Sequence, residues 1–440
     1  MNVSRDRLSV IGKLIGIYRE ERRMNTQNSF TLKKFCDGIC SINTLKNIEA
    51  GGLSRSEDVY IELLDKLDLK FGEFPVIDEV LDRLLMKLYK AIEFYDIDEI
   101  ELVSDKMIRV LKEVNKYVYY SEVESIVNDL RDYYFKDGYI DDVVYQKYRS
   151  ILYQFELKYM DLLRILMFPK IECNSINNHN EYIEEIEFIK LSDAKLSCIR
   201  LNLLHYYYTQ NKYLEMKNEI ESLESHFMRE SNHIRLLDTY NYAIVMLTDV
   251  NIDWSSKYLN RIEELVSECN LPKIKICEVY ANIGCIFHMI KDYAKSLVYY
   301  EKMLTYGFNT LTNLIYMADC QNRLGRPIKM PIIENFEYDK YPIDLKCMFK
   351  YFTLSEDTPV FIKQNYILKK ILPYLHDKEL IEIFRFELLK LLITRININF
   401  YMFLRQEFSK NFKLKLTVLS KKAFNRSKKS FMLTVSLFIE

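Results

Sequence analysis

The chain has 440 residues and a net charge of −1, which excludes a uniformly basic nucleic-acid coat but leaves room for a local basic patch. Apolar residues make up 49% and charged residues 28%, so the chain can bury a large core and is not predicted to be disordered. Six of its ten glycines lie in the first 72 residues. The rest of the chain, with four glycines and eight prolines, has too few turn-forming residues for a sheet-rich fold and is predicted to be helical.

Membrane and secretion signals are not apparent in the sequence. No uninterrupted apolar run approaches the length of about 18 residues that a membrane-spanning helix needs, and the N-terminus mixes charged with apolar positions, unlike a secretory signal. Nine cysteines, an odd number with no CxxC pair, indicate reduced thiols and a cytoplasmic protein. Cys36 and Cys40 fall on one helical face, but no histidine is near them, so core packing is favoured over a metal site.

Residues 4–70 are predicted to form five short helices. Apolar residues recur at helical spacing from Leu8 to Tyr18, and a cluster of arginines follows them. After a polar loop, Thr31 is predicted to cap the next helix. A further helix is predicted over Ile42–Glu49, where a Gly-Gly pair follows and ends it.

Two neighbouring segments carry a helix-turn-helix pattern. Residues 31–40 read TLKKFCDGIC, and residues 41–51 read SINTLKNIEAG. Together they resemble a repressor-type helix-turn-helix. The Gly-Ile-Cys turn and the Leu-x-x-Ile-Glu-x-Gly ending are similar to the subset found in peptide-pheromone receptors of Gram-positive bacteria (the PlcR, PrgX and Rgg type). The resemblance implies that residues 31–38 form a positioning helix and that Ile42–Glu49 enters the major groove of DNA.

On the second of these helices, Leu45 and Ile48 are spaced to point inward, which leaves asparagine, threonine and lysine side chains on the outer face. Asparagine can bind adenine bidentately, lysine can bind guanine, and threonine can bind either base or a thymine methyl group. Through residue 47 the chain has nine Lys or Arg and four acids, a local excess of 9 − 4 = +5. The alternative is that these are ordinary solvated faces of a small helical module. The candidate DNA-binding residues are Thr31, Lys33, Asn43, Thr44, Lys46 and Asn47.

Residues from about 73 to 430 are predicted to form helix after helix, with imperfect repeats. The segment 280–302 closely resembles a tetratricopeptide repeat, because Gly284, an aromatic residue three positions later and the small Ser296 recur at the spacing of that family. Gly284 and Ser296 would let the two helices of the pair approach closely, while Tyr300 would fill the space between them. Other units are partial, so the array is predicted from several incomplete repeats.

Setting the repeat units in register aligns Asn202, Asn241, Asn282 and Tyr316, at separations of 39, 41 and 34 residues. In tetratricopeptide folds this position of the first helix faces the concave groove. Three asparagines there could pair with the N–H and C=O groups of an extended peptide, and His205 would be a groove neighbour. The alternative is that these asparagines occur by chance, or that each satisfies an interhelix carbonyl. The candidate peptide-binding residues are Asn202, His205, Asn241, Asn282 and Tyr316.

Catalysis and cofactor binding have little support in the sequence. It contains no phosphate-binding glycine loop, no HExxH, no GxSxG and no Cys–His pair in a catalytic pattern, so no enzyme, metal site or cofactor is predicted. The stretch 408–439 holds eight Lys or Arg and no acid. It is consistent with a capping helix that dimerises the array, an additional DNA or membrane-surface contact, or a poorly ordered end, and a terminal helix or disordered end is favoured.

The predicted protein is all-α. It has an N-terminal five-helix helix-turn-helix domain at residues 1–72, a right-handed tetratricopeptide-like array at 73–430 and a tail of unassigned role at 431–440. The combined resemblance implies a transcription regulator without membrane contact that binds a double-stranded DNA operator as a homodimer, and whose array binds a short signalling peptide that alters operator binding. An alternative is a helical-repeat scaffold that binds and regulates a protein partner, its helix-turn-helix having lost DNA affinity. Leu32, which stands where a polar residue is usual, favours that alternative.

Overall fold

The structure, a computed structural model, describes most of the chain up to residue 393. The described ranges are 4–26, 30–54, 56–136, 140–175, 179–248, 252–307, 310–331, 341–354, 357–375 and 378–393. The predictions for the basic stretch 408–439 and for the tail at 431–440 lie outside these residues.

The regular secondary structure in the described ranges is helical, which confirms the all-α prediction. Extended pairing there is limited to one isolated bridge, between Lys70 and Tyr117. No helix among the described residues is both long and apolar enough to cross a lipid bilayer. The helices are α1 (Arg5–Thr26), α2 (Leu32–Cys36), α3 (Ile42–Glu49), α4 (Asp58–Asp65), α5 (Pro75–Glu93), α6 (Ile97–Lys112), α7 (Val118–Phe135), α8 (Asp142–Ile151), α9 (Met160–Ser175), α10 (His179–Ile189), α11 (Ser197–Arg200), α12 (Asn202–Thr209), α13 (Tyr213–Arg229), α14 (His233–Leu247), α15 (Ile252–Glu268), α16 (Lys273–Met289), α17 (Tyr293–Tyr306), α18 (Leu311–Arg323), α19 (Ile343–Phe352), α20 (Val360–Tyr366) and α21 (Lys378–Ile393).

The chain divides into two compact units, Met1–Leu271 and Pro272–Glu440. In the first unit one hydrophobic core extends from Leu8 in α1 to Tyr206 in α12. The first four helices therefore share a core with the helices that follow them. The predicted boundary at residue 72, between the DNA-binding region and the array, remains a prediction about function.

The described residues between 4 and 70 form four helices, whereas five were predicted. α1 continues unbroken for 22 residues, and the fifth helix of the chain begins only at Pro75. Proline suits the first helical turn, because its missing N–H would have no helical partner there and its φ is already close to the helical value. The predicted helix over Ile42–Glu49 is confirmed with the same bounds, as α3. α2 ends earlier than predicted, before Gly38, whose φ of +78° cannot continue a right-handed helix.

The helices after α4 pack through apolar stripes at helical spacing. α5 buries Leu81, Leu85, Leu88 and Ile92, which recur every three or four residues. α5 packs against α6 and α6 against α7, and later neighbours such as α13 with α14 and α14 with α15 also pack together. Contacts between consecutive helices are what an array of helical hairpins produces.

Several turns between helices are built without glycine. The second residue after the helix takes a positive φ, and the N–H of the residue that follows it bonds to the carbonyl five residues earlier, which closes the end of the helix. A non-glycine residue pays roughly 1–2 kcal/mol for this left-handed conformation. The pattern explains how a glycine-poor chain ends its helices. The residues with positive φ in these turns are Tyr95, Asn211, Ser231 and Lys291.

In the second unit, the predicted close approach of two paired helices is confirmed. Ser296 on α17 donates a hydrogen bond from Oγ to the carbonyl oxygen of Gly284 on α16 at 2.7 Å. A Cβ at Gly284 would lie 2.8 Å from the ring of Tyr300, which is fully buried. Glycine is therefore required at this crossing, while the tetratricopeptide-like arrangement of the whole array remains a prediction.

Candidate nucleic-acid interface and ligand cleft

α3 is fixed at its start and along its inner face. The hydroxyl of Ser41, its N-cap, accepts a hydrogen bond from the backbone N–H of Thr44 at 3.1 Å. This bond satisfies one of the free donors at the start of the helix. Leu45 and Ile48 have no exposed surface, so the inward direction predicted for these two side chains is confirmed.

The outer face of α3 carries the side chains predicted to contact bases. Asn43, Lys46 and Asn47 are exposed, and Thr44 is half-buried. The side chain of Asn47 already has a hydrogen-bond partner within the protein, because its Nδ2 donates to a backbone carbonyl of the following loop at 3.4 Å. Its amide also lies against Gly52, where a Cβ would come within 2.4 Å of it. Asn43 and Lys46 are therefore the side chains of this face best placed to reach base edges.

Two glycines of α1 allow α3 to lie directly on it. A Cβ at Gly12 would lie 2.4 Å from the carbonyl oxygen of Ile48, closer than real Cβ atoms approach. A Cβ at Gly16 would lie 3.1 Å from the Cβ of Glu49. Glycine inside a helix costs roughly 0.5–1 kcal/mol relative to alanine. The close packing of α3, rather than the stability of α1, therefore accounts for glycine at these positions.

An ion pair fastens the end of α3 to α1. Arg19 donates from Nε and Nη2 to the two carboxylate oxygens of Glu49, at 2.6 and 2.9 Å. The Arg19 side chain is 4% exposed and that of Glu49 is 14% exposed. Two parallel N–H···O bonds fix orientation as well as distance. Glu49, the acid of the Ile-Glu-x-Gly ending, therefore positions α3.

Fewer basic side chains are available to DNA than the local charge excess suggests. Of the nine Lys and Arg up to residue 47, four form ion pairs with acidic side chains. These four are Arg7, Arg19, Arg22 and Arg23. The excess of +5 is therefore partly used to hold helices together. On α2 and α3 the exposed cations are Lys33, Lys34 and Lys46.

α2 packs beside α3 and carries the other two predicted DNA-binding residues. Thr31 occupies its N-cap position without a side-chain capping bond, and Lys33 is exposed. Lys66, which follows α4, donates from Nζ to two carbonyl oxygens at the end of α2, both at 2.9 Å. Leu32 is half-buried and packs against the hydrophobic core. Its apolar character is therefore explained by packing.

α1 is joined to the later helices through the buried side chain of Arg7, which is 5% exposed. Its guanidinium contacts three carboxylates, those of Glu73 at 3.2 Å, Asp78 at 2.9 Å and Glu156 at 2.6 Å. Nη1 also donates to Tyr120 Oη at 3.2 Å, and the guanidinium carbon lies 4.3 Å from the ring centroid of Tyr119. Burial opposes the ionised form of Glu156, but hydrogen bonds from Arg7 and Lys158 hold its pKa below the ordinary value.

A second polar contact joins α1 to the start of α7. Tyr18 donates from its hydroxyl to Glu122 at 3.0 Å, and Lys147 pairs with the same carboxylate at 2.9 Å. The side chain of Glu122 has no exposed surface. Burial and the charge of Glu122 raise the pKa of Tyr18, so its hydroxyl remains a donor at neutral pH. α1, against which α3 packs, is thus held by carboxylates on α5, on α7 and before α9.

A cleft of about 270 Å³ lies within the first unit. Its wall is built by α5, α7, α9, α11, α12 and α14. Two of these helices, α12 and α14, are first helices of a pair in the register predicted from the sequence, and each packs against the helix that follows it. The aromatic rings of the cleft are those of Tyr133, Tyr134, Phe168 and Tyr242.

Two charged side chains contribute to the cleft wall. Arg235 pairs with Asp238 at 2.9 Å and donates to two backbone carbonyls at the end of α5, at 3.0 and 2.5 Å. Glu172 is 46% exposed, and its Oε1 lies 3.4 Å from Nδ1 of His205. Burial raises the pKa of Glu172 and lowers the pKa of His205. His205 is therefore mostly neutral at pH 7, and the charge of Arg235 is balanced by Asp238.

The predicted peptide-binding residues of the first unit lie at or near the cleft. Asn202 lines it. His205 is beside Glu172, and its Nδ1 is 3.1 Å from the hydroxyl of Tyr182. Asn241 is 9% exposed, and Tyr242, the next residue, lines the cleft in its place. Two of the predicted positions, Asn202 and the neighbour of Asn241, therefore lie at this cleft, and their binding of a peptide remains a prediction.

The two predicted residues of the second unit have different surroundings. Asn282 on α16 is half-buried. Tyr316 on α18 is 7% exposed, and its ring stacks on His288 with 4.7 Å between ring centroids. His288 in turn contacts Asp319, with 2.7 Å between Nε2 and Oδ2. Tyr316 is thus part of the packing within the second unit.

The rings of the cleft could not be singled out from the sequence. The chain has 34 tyrosines and 25 phenylalanines, and the four in the cleft have no distinctive spacing. One signal was available, because Pro169 stands inside α9 and lines the cleft. A proline inside a helix removes a backbone hydrogen bond, and such a break of a local rule is expected most often at functional or strained sites.

No family model, no curated protein and no solved structure matches this chain. The geometry of α2 and α3 and the chemistry of the cleft are therefore the basis on which a function is proposed.

Proposed function

We propose that the protein is a sequence-specific DNA-binding transcription regulator whose helical array binds a short signalling peptide. The observation that carries DNA binding is the outer face of α3, where Asn43 and Lys46 are exposed on a helix whose inner face is fully buried. Its N-cap bond and the Arg19–Glu49 pair fix the helix at both ends. A helix that is held this firmly and leaves its donors and acceptors outward suits direct readout of bases.

The size and surroundings of α3 support the same function. An α-helix with its side chains is about 10–12 Å across, which fits a major groove about 12 Å wide, and the eight residues of α3 give two turns to place in it. Lys33 and Lys34 on the neighbouring α2 are exposed and add positive charge beside it. Cations next to a recognition helix provide the contacts with phosphate that set affinity and register.

The array supports the peptide-binding part of the proposal. The cleft is lined in part by α12 and α14, two helices of the predicted register, and includes Asn202, a residue of the predicted groove. Helix-turn-helix modules of this kind commonly bind two half-sites as dimers, so we expect the regulator to act as a homodimer. Peptide binding would change its operator affinity by changing the arrangement or mobility of the two modules.

The experiment is a selection of DNA by the full-length protein from a pool of random duplexes, followed by affinity measurements on the enriched sequence. The double variant Asn43→Ala/Lys46→Ala should lose the selected sequence, because each base contact is worth about 1–3 kcal/mol, or roughly 5- to 150-fold in affinity. Asn47→Ala should lose less specificity, because that amide also bonds to its own loop.

A matched control removes one exposed lysine and one exposed asparagine elsewhere in the chain. Lys106 on α6 and Asn218 on α13 are exposed, so Lys106→Ala/Asn218→Ala should leave the selected sequence and the affinity unchanged. Failure of the parent protein to enrich any sequence would refute DNA recognition. Equal losses in the two double variants would show that α3 does not read the bases.

A further inference from the structure

We infer that the cleft of the first unit binds a cationic side chain, lysine or arginine, with Glu172 as its counter-ion and tyrosine rings around it. This inference rests on the proposed peptide-sensing function and names the chemistry of the peptide that it would recognise. The volume of the cleft, about 270 Å³, is just below the range of about 300–1,000 Å³ that is typical of sites for whole small molecules. It therefore suits one anchoring side chain of a longer ligand.

The apolar part of the cleft matches the stem of such a side chain. Ile92, Ile165 and Ile199 line it together with four aromatic rings. Lysine and arginine bury their methylene stems along apolar surface while their charged heads seek polar partners. Aromatic faces attract a cation by about 0.5–1 kcal/mol at exposed sites and about 2 when it is desolvated. Three of the four rings, those of Tyr133, Tyr134 and Tyr242, are tyrosines.

The charges around the cleft favour a cation over an anion. Arg235 is paired with Asp238, so that end of the wall carries no net charge. Glu172 contributes a carboxylate that is 46% exposed, and its neighbour His205 is mostly neutral at pH 7 because burial lowers its pKa. Burial also raises the pKa of Glu172, and an incoming cation would offset this cost of holding the carboxylate ionised.

The backbone of α9 adds a further acceptor. Proline has no N–H, so Pro169 leaves the carbonyl of Ile165, four residues earlier, without its usual helical donor. Both residues line the cleft. An acceptor on this wall complements the donors of an ammonium or a guanidinium group.

The experiment uses Cys173, an exposed thiol that lines the cleft, as a reporter in the full-length protein. Two methanethiosulfonates of the same shape are compared, one ending in trimethylammonium and the other in the neutral tert-butyl group. Peptide mapping by mass spectrometry gives the labelling rate of each cysteine, and Cys269, a half-buried thiol outside the cleft, is the internal reference. Because both reagents attack the same thiolate, the ratio of their rates isolates the effect of charge.

We expect the cationic reagent to be favoured at Cys173, relative to Cys269, by about tenfold, the attraction of one carboxylate at about 6 Å in a medium of intermediate dielectric. Glu172→Gln should abolish most of this preference. The control Glu184→Gln removes an exposed carboxylate from the neighbouring α10 and should preserve it. N-acetyl-arginine methylamide should also slow labelling of Cys173 by the neutral reagent, whereas the uncharged citrulline analogue should not.

A ratio near one, or a ratio that Glu172→Gln leaves unchanged, would overturn the inference. Equal protection by the arginine and citrulline compounds would do the same, because it would indicate an uncharged pocket. None of these measurements needs DNA or the natural peptide. If the cation site meets these tests but the protein selects no DNA sequence, the inference holds and the proposed function fails. The two failures can therefore be distinguished.

Discussion

The two sides of α1 are held by opposite physical means. On the side of α3 the contact depends on glycine having no side chain, because a Cβ at Gly12 would collide with the carbonyl oxygen of Ile48 at 2.4 Å. On the side of α5 and α7 it depends on charges, because Arg7 holds three carboxylates and Tyr18 bonds to the buried Glu122. A contact made by shape is broken by adding an atom, and one made by charge is broken by removing a partner. Each side therefore has its own kind of sensitive substitution.

The largest effect is expected on the charged side. Arg7→Ala leaves three carboxylates facing each other, and loss of one partner of a buried ion pair typically costs 3–5 kcal/mol. We expect about 3 kcal/mol in the free energy of unfolding of the first unit, because Glu73, Asp78 and Glu156 keep about one fifth of their side-chain surface exposed. Hydrogen exchange of α1 and urea unfolding measure the loss.

The pH dependence of this loss has a definite sign. Arg7 holds the pKa of Glu156 below its ordinary value of 4.5, so the stability that this carboxylate contributes is present above pH 4.5 and is lost as the pH falls through the lowered pKa. The difference in stability between the parent and Arg7→Ala should therefore stay nearly constant from pH 7 to about pH 5 and should shrink as the pH falls below 4.5. Arg5→Ala, an exposed arginine on the same helix, should change stability by less than about 0.5 kcal/mol. A similar loss in both variants would contradict the assigned role of Arg7.

A smaller effect is expected on the glycine side. Gly12→Ala gains helix propensity but forces α3 away from α1, and overpacking of this kind costs typically about 1–3 kcal/mol. Because α3 must move, the affinity for the selected DNA should fall together with stability. Gly16→Ala is the comparison variant and should cost less, since its Cβ would meet Glu49 at 3.1 Å, whereas the Cβ at Gly12 would meet a carbonyl oxygen at 2.4 Å. Urea unfolding and DNA titration measure the loss of stability and of affinity in both variants. Equal losses would contradict the role assigned to the close contact at Gly12.

The smallest effect is expected from removing one hydroxyl on the charged side. Tyr18→Phe deletes the bond to Glu122 but leaves the pair of that carboxylate with Lys147, so the cost should be about 1 kcal/mol. Tyr213→Phe, whose hydroxyl bond is at the surface, should be nearly neutral. Thermal unfolding of both variants measures this. A cost for Tyr18→Phe as large as that of Arg7→Ala would mean that Glu122, not Arg7, dominates this side.

The local parts of the fold could be predicted from the sequence. The bounds of α3 follow from Leu45 and Ile48, three residues apart, and from the glycines after Glu49. The close crossing at Gly284 and Ser296 also follows from short-range spacing. These features depend on residues at most 12 positions apart in the sequence, a separation within the window of about 11–18 residues over which apolar periodicity is informative.

The long-range parts could not be predicted in this way. Arg7 was counted among the cations available to phosphate, because its partners Asp78 and Glu156 are 71 and 149 residues away. The helix ends at Tyr95, Ser231 and Lys291 carry no glycine, so no local signal marks their left-handed backbone. The cleft combines side chains from six helices, and a single sequence does not show which of its many tyrosines meet.

The continuity of α7 has a thermodynamic consequence. Tyr120 near its start contacts the network that holds α1, and Tyr133 near its end lines the cleft, about 20 Å further along the same helix. If a ligand in the cleft displaces α7, the displacement is transmitted to α1, against which α3 packs. Any coupling of this kind must be reciprocal, because a ligand that changes operator affinity by a given factor has its own affinity changed by the operator by the same factor. DNA would then act as an effector of the cleft as much as the cleft acts on DNA.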